Sequence, residues 1–161
     1  MKDFQYLIAL DISPREADCP WDYTHVSDLL NLRPTSFIRK GQKWKGKLGQ
    51  NGLRHSRWRW RFATRRRSFA KGDVSVHLVS FLQQLAVTKR VWAQVAQYCD
   101  CEIYLPLERT HFQIEVDLNP TVFRELMLRN LKLHVSTLSR YEEEPNQPPQ
   151  TTPGSCAPLR V

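Results

Sequence analysis

The chain has 161 residues, of which 24 are Lys or Arg and 16 are Asp or Glu, giving a formal net charge of +8. A chain of this length fits one domain with a core of its own. It has no run of about 18 apolar residues, which excludes a transmembrane helix, and the short apolar run near the N-terminus predicts no signal peptide. The four cysteines are scattered, which favours reduced thiols and a cytoplasmic location.

The positive charge is concentrated in one internal segment. Residues 33–71 contain 14 of the 24 Lys and Arg and no Asp or Glu. The rest of the chain carries 10 basic and 16 acidic residues, a net charge of −6. Such segregation is informative about partners and not about fold.

The first predicted elements are a strand over residues 4–12 and a short helix over residues 24–32. Residues 33–56 form a basic excursion with several glycines and no periodicity, which predicts irregular structure. The sequence SRWRWRFAT at residues 56–64 alternates arginine with aromatic residues. This alternation predicts a strand with its aromatic side in the core and its arginine side facing solvent or a partner.

The middle of the chain predicts helix followed by strands. Residues 74–98 have helical periodicity with a weak, β-branched patch, so they predict one long helix or two abutting helices. Residues 101–107 and 111–118 predict two strands around a tight connection.

The last elements are a helix and a strand. Asn119 caps the free N–H groups of the predicted helix, and Pro120 suits its first position because that position needs no N–H. Residues 131–137 predict the closing strand. The helix is expected to bury Phe123, Leu126 and Met127.

This element order, β-α-excursion-β-α-β-β-α-β, predicts an α+β two-layer sandwich with a mostly antiparallel sheet and helices on one face. A single domain is expected over residues 1–140. Residues 141–161 contain three consecutive glutamates and then five prolines. This composition predicts a disordered, proline-rich tail.

No pattern in the sequence supports catalysis, a metal or a cofactor. Cys99 and Cys101 would point to one side of a strand, but the histidines add no complementary pair for a zinc site. The chain has no nucleophile elbow, no Walker loop and no dinucleotide-binding glycine motif. Glu115 and Asp117 alternate outward on a predicted strand, which favours a solvated face over an acid–base pair. We expect a protein that is not an enzyme.

The basic segment is the informative feature. Interleaved Arg and Trp are what nucleic-acid-binding proteins combine, with cations for phosphate and aromatic rings for stacking. On a strand, however, the tryptophans face the core and leave the arginines as a strip that an acidic protein would complement equally well. No RNA-binding, helix-turn-helix or zinc-finger pattern is present. The predicted contact residues are Arg39, Lys40, Lys43, Lys45, Arg57, Arg59, Arg61, Arg65, Arg66 and Arg67.

Residues 29–41, LLNLRPTSFIRKG, end a helix with Leu-x-Leu and continue with x-Pro-Thr, basic residues and Gly. This sequence resembles the N-terminal signature of the bacterial DUF4279 family, a domain of unknown function. The layout over about residues 5–138 is also similar, with a Trp-containing strand, the helix VSVHLVSFLQQL and a closing β-α-β. The resemblance implies a small cytosolic protein, and some members are encoded where toxin-immunity proteins are found.

Two hypotheses of function follow from this surface, and a third, an uncharacterised enzyme, has no supporting motif. In the first, the chain is a small binding module, of immunity type, that binds an acidic protein through the predicted contact residues. In the second, it binds nucleic acid through the same surface. No membrane contact is expected in either case.

Overall fold

In the computed structural model of the chain, the described residues are 5–43, 54–68, 73–85, 87–109 and 116–139. The predicted tail at residues 141–161 lies outside them, so the tail and the domain limits stay predictions. No helix within these ranges is long and apolar enough to cross a membrane.

One sheet carries the fold. Its described strands are β1 (Gln5–Tyr6), β2 (Ala9–Pro14), β3 (Ser36–Ile38), β4 (Arg59–Ala63), β5 (Arg67–Ser68), β6 (Cys99–Arg109) and β7 (Lys132–Ser139). The strands lie in the order β3-β4-β2-β6-β7. The short strand β1 pairs with β6 beyond the part of β6 that pairs with β2, and β5 pairs with β1 on its other side. All neighbours are antiparallel except β6 and β7, which run parallel with a helix between them in the chain.

The helices are α1 (Tyr23–Leu30), α2 (Asp73–Gln84), α3 (Lys89–Tyr98) and α4 (Pro120–Leu128). The predicted helical stretch at 74–98 is therefore two helices. Thr88 caps α3 because its side chain accepts a hydrogen bond from the backbone N–H of Val91. Asn119 caps α4 in the same way, and Pro120 occupies its first position, which confirms the predicted helix start.

The core lies between one side of the sheet and the four helices of the described residues. Leu10 and Ile12 of β2, Trp60 of β4, and Ile103 and Leu105 of β6 are completely buried and share that side. They form one cluster with helix residues Val26, Leu30, Leu78, Phe81, Trp92, Val95, Val122 and Leu126. The predicted α+β two-layer sandwich with helices on one face is confirmed.

Part of the basic excursion at 33–56 is regular. Ser36–Ile38 form β3, which pairs antiparallel with β4, and Lys43 makes an isolated bridge with Arg54. A three-residue strand is too short to display an alternating pattern, and its partner strand lies far along the chain. The prediction of irregular structure is wrong at these positions.

The predicted strand at 111–118 is wrong where it can be compared. Residues 111–115 lie outside the described residues, and residues 116–118 lie in no strand. Instead, the backbone O of Asp117 accepts a 2.7 Å hydrogen bond from the buried Oγ of Ser75, which in turn accepts one of 3.0 Å from the backbone N of Asn119. The segment is thus fixed to α2 immediately before α4 begins.

The buried face of α4 differs from the predicted one. Val122 and Leu126 are buried, as predicted for Leu126, whereas Phe123 is 50 % exposed and Met127 is 80 % exposed. The two buried residues are four positions apart, so they form a narrow stripe on one side of the helix. The prediction that Phe123 and Met127 are core residues is wrong, and they remain apolar groups on the surface.

Candidate functional site

The side of the sheet that no described helix covers, here called the open face, carries the side chains that alternate with the core residues. The strand register places Arg61 of β4, Asp11 of β2 and Glu102 of β6 in one row across it. Tyr104 of β6 and His134 of β7 lie side by side in the next row. Charged and aromatic side chains on adjacent strands are close enough to interact directly.

Arg61 and Asp11 form a forked ion pair at the centre of the open face. The guanidinium donates from Nε to Oδ1 and from Nη2 to Oδ2, both at 2.6 Å. Hydrogen bonding to Asp11 raises the pKa of Arg61, and the guanidinium carbon lies 5.6 Å from the centre of the Tyr104 ring. Forked pairs and cation–π contacts are strong forms of charge recognition. The charge of Arg61 is therefore neutralised within the open face.

Four polar side chains complete the open face. Ser136 Oγ donates a 3.0 Å hydrogen bond to Tyr104 Oη, and His134 Nδ1 lies 2.9 Å from Glu102 Oε1. The His134 ring meets the Tyr104 ring edge-on at 5.5 Å. A carboxylate that orients an imidazole is half of a general-base arrangement. However, no hydroxyl or thiol among the described residues is hydrogen-bonded to His134, so this arrangement lacks a nucleophile.

Arg59 lies two residues before Arg61 and so points from the same open face. It is exposed, and its backbone neighbour on β3 is Ile38. No carboxylate in the described part of the chain forms an ion pair with it. Arg59 and Arg61 thus share a strand and a face, but only Arg61 is paired within the chain.

Three predicted contact residues follow β3. Arg39 is exposed, with its guanidinium carbon 5.7 Å from the centre of the Phe37 ring. Lys40 donates from Nζ to the backbone O of Ala17 at 2.6 Å, and Lys43 is exposed. None of the three has a carboxylate partner among the described residues, so this edge of the sheet is cationic.

Three others lie at either end of β4. Arg57 donates from Nη1 to the backbone O of Pro14 at 3.2 Å. Arg65 is exposed, and Arg66 forms an ion pair with Glu108, with Nη2 and Oε1 2.9 Å apart. Arg66 therefore resembles Arg61 in having an acidic partner in the chain.

The predicted contact residues consequently do not form one continuous strip. Arg39, Lys43 and Arg59 lie around the edge formed by β3 and β4, whereas Arg65 and Arg66 lie beyond the other end of β4. Arg67 belongs to β5 by its backbone, and Lys45 is outside the described residues.

The tryptophans of the Arg/Trp strand lie in the core, as the alternation predicts. Trp58 is 6 % exposed, and its Nε1 donates to the backbone O of Trp21 at 2.8 Å. Trp60 is completely buried, and its Nε1 donates to Ser27 Oγ at 2.9 Å. Neither ring is available for stacking on a base.

The cysteines of β6 also face the core. Cys99 and Cys101 are both buried, on the same side of the strand as predicted, and burial raises the pKa of each thiol to about 12. Both thiols are therefore neutral at pH 7 and poor nucleophiles. No group of three His, Cys, Asp or Glu side chains that could hold a metal ion occurs in the part of the chain that the structure describes.

Local sequence patterns did not identify the residues that pair across the open face, namely Asp11, Glu102, Tyr104, His134 and Ser136. A signal was present in β6, where Asp100, Glu102 and Tyr104 alternate with buried residues. Periodicity identifies a polar side of a strand, but it does not identify which strand lies beside it. The parallel pairing of β6 with β7, which brings His134 to Glu102, is a long-range feature.

Comparison with known proteins gives a family and no characterised relative. The family model for DUF4279, a domain of unknown function, matches residues 17–140. No curated protein and no solved structure matches the chain. The match covers α1 to the end of β7, including every strand of the open face except β1 and β2. The chain belongs to the DUF4279 family.

Proposed function

We propose that this chain is a non-enzymatic binding module that binds an acidic protein partner, in an immunity-type role, through the β3–β4 end of the open face. The observation that carries the proposal is the contrast between two arginines of one strand. Arg61 is neutralised by Asp11, whereas Arg59 is exposed and has no acidic partner in the described part of the chain. An acidic surface would supply the missing partner.

The cations around Arg59 support this proposal. Arg39, Lys43 and Arg54 are exposed along the same edge, and the intervening sequence contains no Asp or Glu. A group of like charges on one edge raises the association rate with an oppositely charged surface. Paired residues beside it, such as Arg61 and Asp11, would hold the contact surface rigid, which lowers the entropy cost of binding.

A nucleic acid is the alternative occupant of this edge. Its phosphates would also be attracted to Arg59, but base stacking requires exposed aromatic rings, and Trp58 and Trp60 are buried. Phe37 is partly exposed, but it already stacks on Tyr23 at a centroid distance of 4.5 Å. These contacts favour a protein partner.

The test uses three forms of the chain as bait in affinity capture from cells of the source organism. Quantitative mass spectrometry measures how much of each protein every form captures. The three forms are the wild type, Arg59→Glu and Arg90→Glu. Arg90 is an exposed residue of α3, so its variant makes the same change in net charge away from the open face. We expect one acidic protein to be captured by the wild type and Arg90→Glu and lost from Arg59→Glu.

Fluorescence anisotropy with labelled single- and double-stranded DNA and RNA distinguishes the alternative. We expect any binding to disappear by about 0.15 M salt, where exposed charges are screened beyond roughly 8 Å. Three results together would overturn the proposal in favour of nucleic acid. Binding would persist at this salt concentration, its affinity would fall with salt at a slope that indicates several phosphate contacts, and Arg59→Glu would weaken it.

A further inference from the structure

A groove of about 550 Å³ runs along α3 and the end of α4, in the helix layer. Its floor includes Trp92, Ala93 and Ala96 of α3, which lie on one side of that helix because Ala96 follows the other two by about one turn. Met127 and Leu128 of α4 form the opposite wall. The groove therefore has an apolar interior.

The groove is open to solvent along its length. Met127 is 80 % exposed and Leu128 is 47 % exposed, and Ala93 on the floor is also exposed. Sites for small molecules usually enclose most of the ligand surface. An open apolar groove along a helix suits a segment of another protein chain, which needs only one of its sides buried.

Positive charge surrounds this apolar interior. Lys89 lines the groove at the start of α3, Arg129 follows the end of α4, and Arg15 comes from the loop after β2. The lining residues include no Asp or Glu. Arg129 has an ion pair with Glu125, from Nη1 to Oε2 at 2.6 Å, and Arg15 a longer one with Asp100 at 3.5 Å. These two pairs neutralise Arg129 and Arg15 as Asp11 neutralises Arg61, and Lys89, which has no ion pair among the described residues, leaves the groove with a net positive charge that favours an acidic occupant.

Two unpaired donors belong to the same groove. Among the described residues, the buried side-chain nitrogen atoms without a hydrogen-bond partner are Trp92 Nε1 and Arg129 Nε. Both residues line the groove. A buried N–H without an acceptor is unfavourable, and an acceptor supplied by an occupant of the groove would remove that cost.

We infer that the groove docks an acidic segment of a partner protein. A bulky apolar side chain of that segment inserts between Ala93 and Met127, and a carboxylate beside it meets Lys89. This inference deepens the proposed function and rests on it for one point only, namely that the partner is acidic. It assigns a second contact surface, on the helix layer rather than on the open face.

The test is a selection from a phage-displayed library of random peptides of about 12 residues, with the full chain as target. The selected peptides are then bound to Ala93→Glu, Met127→Glu, Arg59→Glu and Val76→Glu variants. Ala93 and Met127 are exposed helix positions where Glu is compatible with the helix. Val76, which is 64 % exposed on α2 and does not line the groove, provides the matched control.

We expect the selected peptides to combine Asp or Glu with Leu, Phe or Met. Their affinity should fall at least tenfold for Ala93→Glu and Met127→Glu and should be unchanged for Val76→Glu and Arg59→Glu. Nuclear magnetic resonance of the wild type with one such peptide should shift the Trp92 indole N–H signal, which removes any dependence on variant folding. No enrichment of acidic apolar peptides would overturn the inference. Peptides that lose affinity only for Arg59→Glu would overturn it as well, while leaving the proposed function supported.

Discussion

Arg61 Nε and Nη2 donate to the two carboxylate oxygens of Asp11, each at 2.6 Å, across adjacent strands of the open face. Their side chains are 30 % and 16 % exposed, respectively, so the pair is partly shielded from water. A pair in this position neutralises one arginine of β4, whereas the next outward-facing one, Arg59, has no ion pair among the described residues.

The Asp11→Asn substitution removes the charge of the acceptor and leaves Arg61 without an anionic partner in a partly buried position. We expect a loss of about 1–3 kcal/mol in the free energy of unfolding, measured by urea denaturation. Asp28→Asn on the exposed side of α1 is the matched control and should change stability by no more than about 0.5 kcal/mol. Equal effects of the two substitutions would show that the pair does not contribute as described.

The Ser75→Ala substitution tests the connection between α2 and the segment before α4. The buried hydroxyl donates to the backbone O of Asp117 and accepts from the backbone N of Asn119, and alanine leaves both groups without this partner. We expect a loss of about 1–3 kcal/mol in the free energy of unfolding. Ser80→Ala, the same change at an exposed position of α2, should be neutral or slightly stabilising because alanine favours helix.

Adjacent residues of α4 should respond very differently to truncation. Leu126 is 5 % exposed and Met127 is 80 % exposed. We expect Leu126→Ala to lower the free energy of unfolding by about 2–4 kcal/mol and Met127→Ala by less than about 0.5 kcal/mol. Thermal or urea unfolding of the two variants is sufficient, and a large loss for Met127→Ala would contradict the orientation of α4.

The β6 thiols should lower stability in alkaline solution. Burial raises the pKa of Cys99 and Cys101 to about 12, above the ordinary value of about 8.5 that the unfolded chain has. Below the ordinary value both states hold these protons and stability is unaffected. As pH rises from about 9 towards 12, only the unfolded chain releases them, so the free energy of unfolding falls.

Urea denaturation of the wild type and Cys101→Ala between pH 8 and pH 11 measures this effect. The alanine variant should be less stable at pH 8 because it leaves a small cavity, but its stability should fall less steeply with pH. Parallel pH profiles would mean that the Cys101 thiol does not titrate in this way.

A helix or strand was predictable from the sequence where its pattern or its capping residue lies within a few neighbouring residues. The alternation in β4 and the Asn119-Pro120 start of α4 depend on neighbouring residues, and both are confirmed. The short strand β3 was missed because three residues cannot show a period, and it is recognisable only through its pairing with β4. In α4 the helix itself was predictable, but the buried side depends on where α2 packs.

The candidate site was predictable only in its charge. The basic composition around Arg59 is a local property, and the structure places that residue on the surface. The pairing of Arg61 with Asp11, and of His134 with Glu102, depends on which strands become neighbours, and no local pattern encodes this. The sheet register was therefore needed to distinguish Arg61, which has an acidic partner, from Arg59, which has none among the described residues.

The most direct test of the central claim is the affinity of the captured acidic protein for the wild type, Arg59→Glu and Arg90→Glu at several salt concentrations. We expect Arg59→Glu to weaken binding at least about tenfold at physiological salt and Arg90→Glu to bind nearly as the wild type does. We also expect the wild-type affinity to fall as salt rises, since exposed charges carry the contact. Equal affinities for all three forms would contradict the claim that Arg59 provides the contact surface.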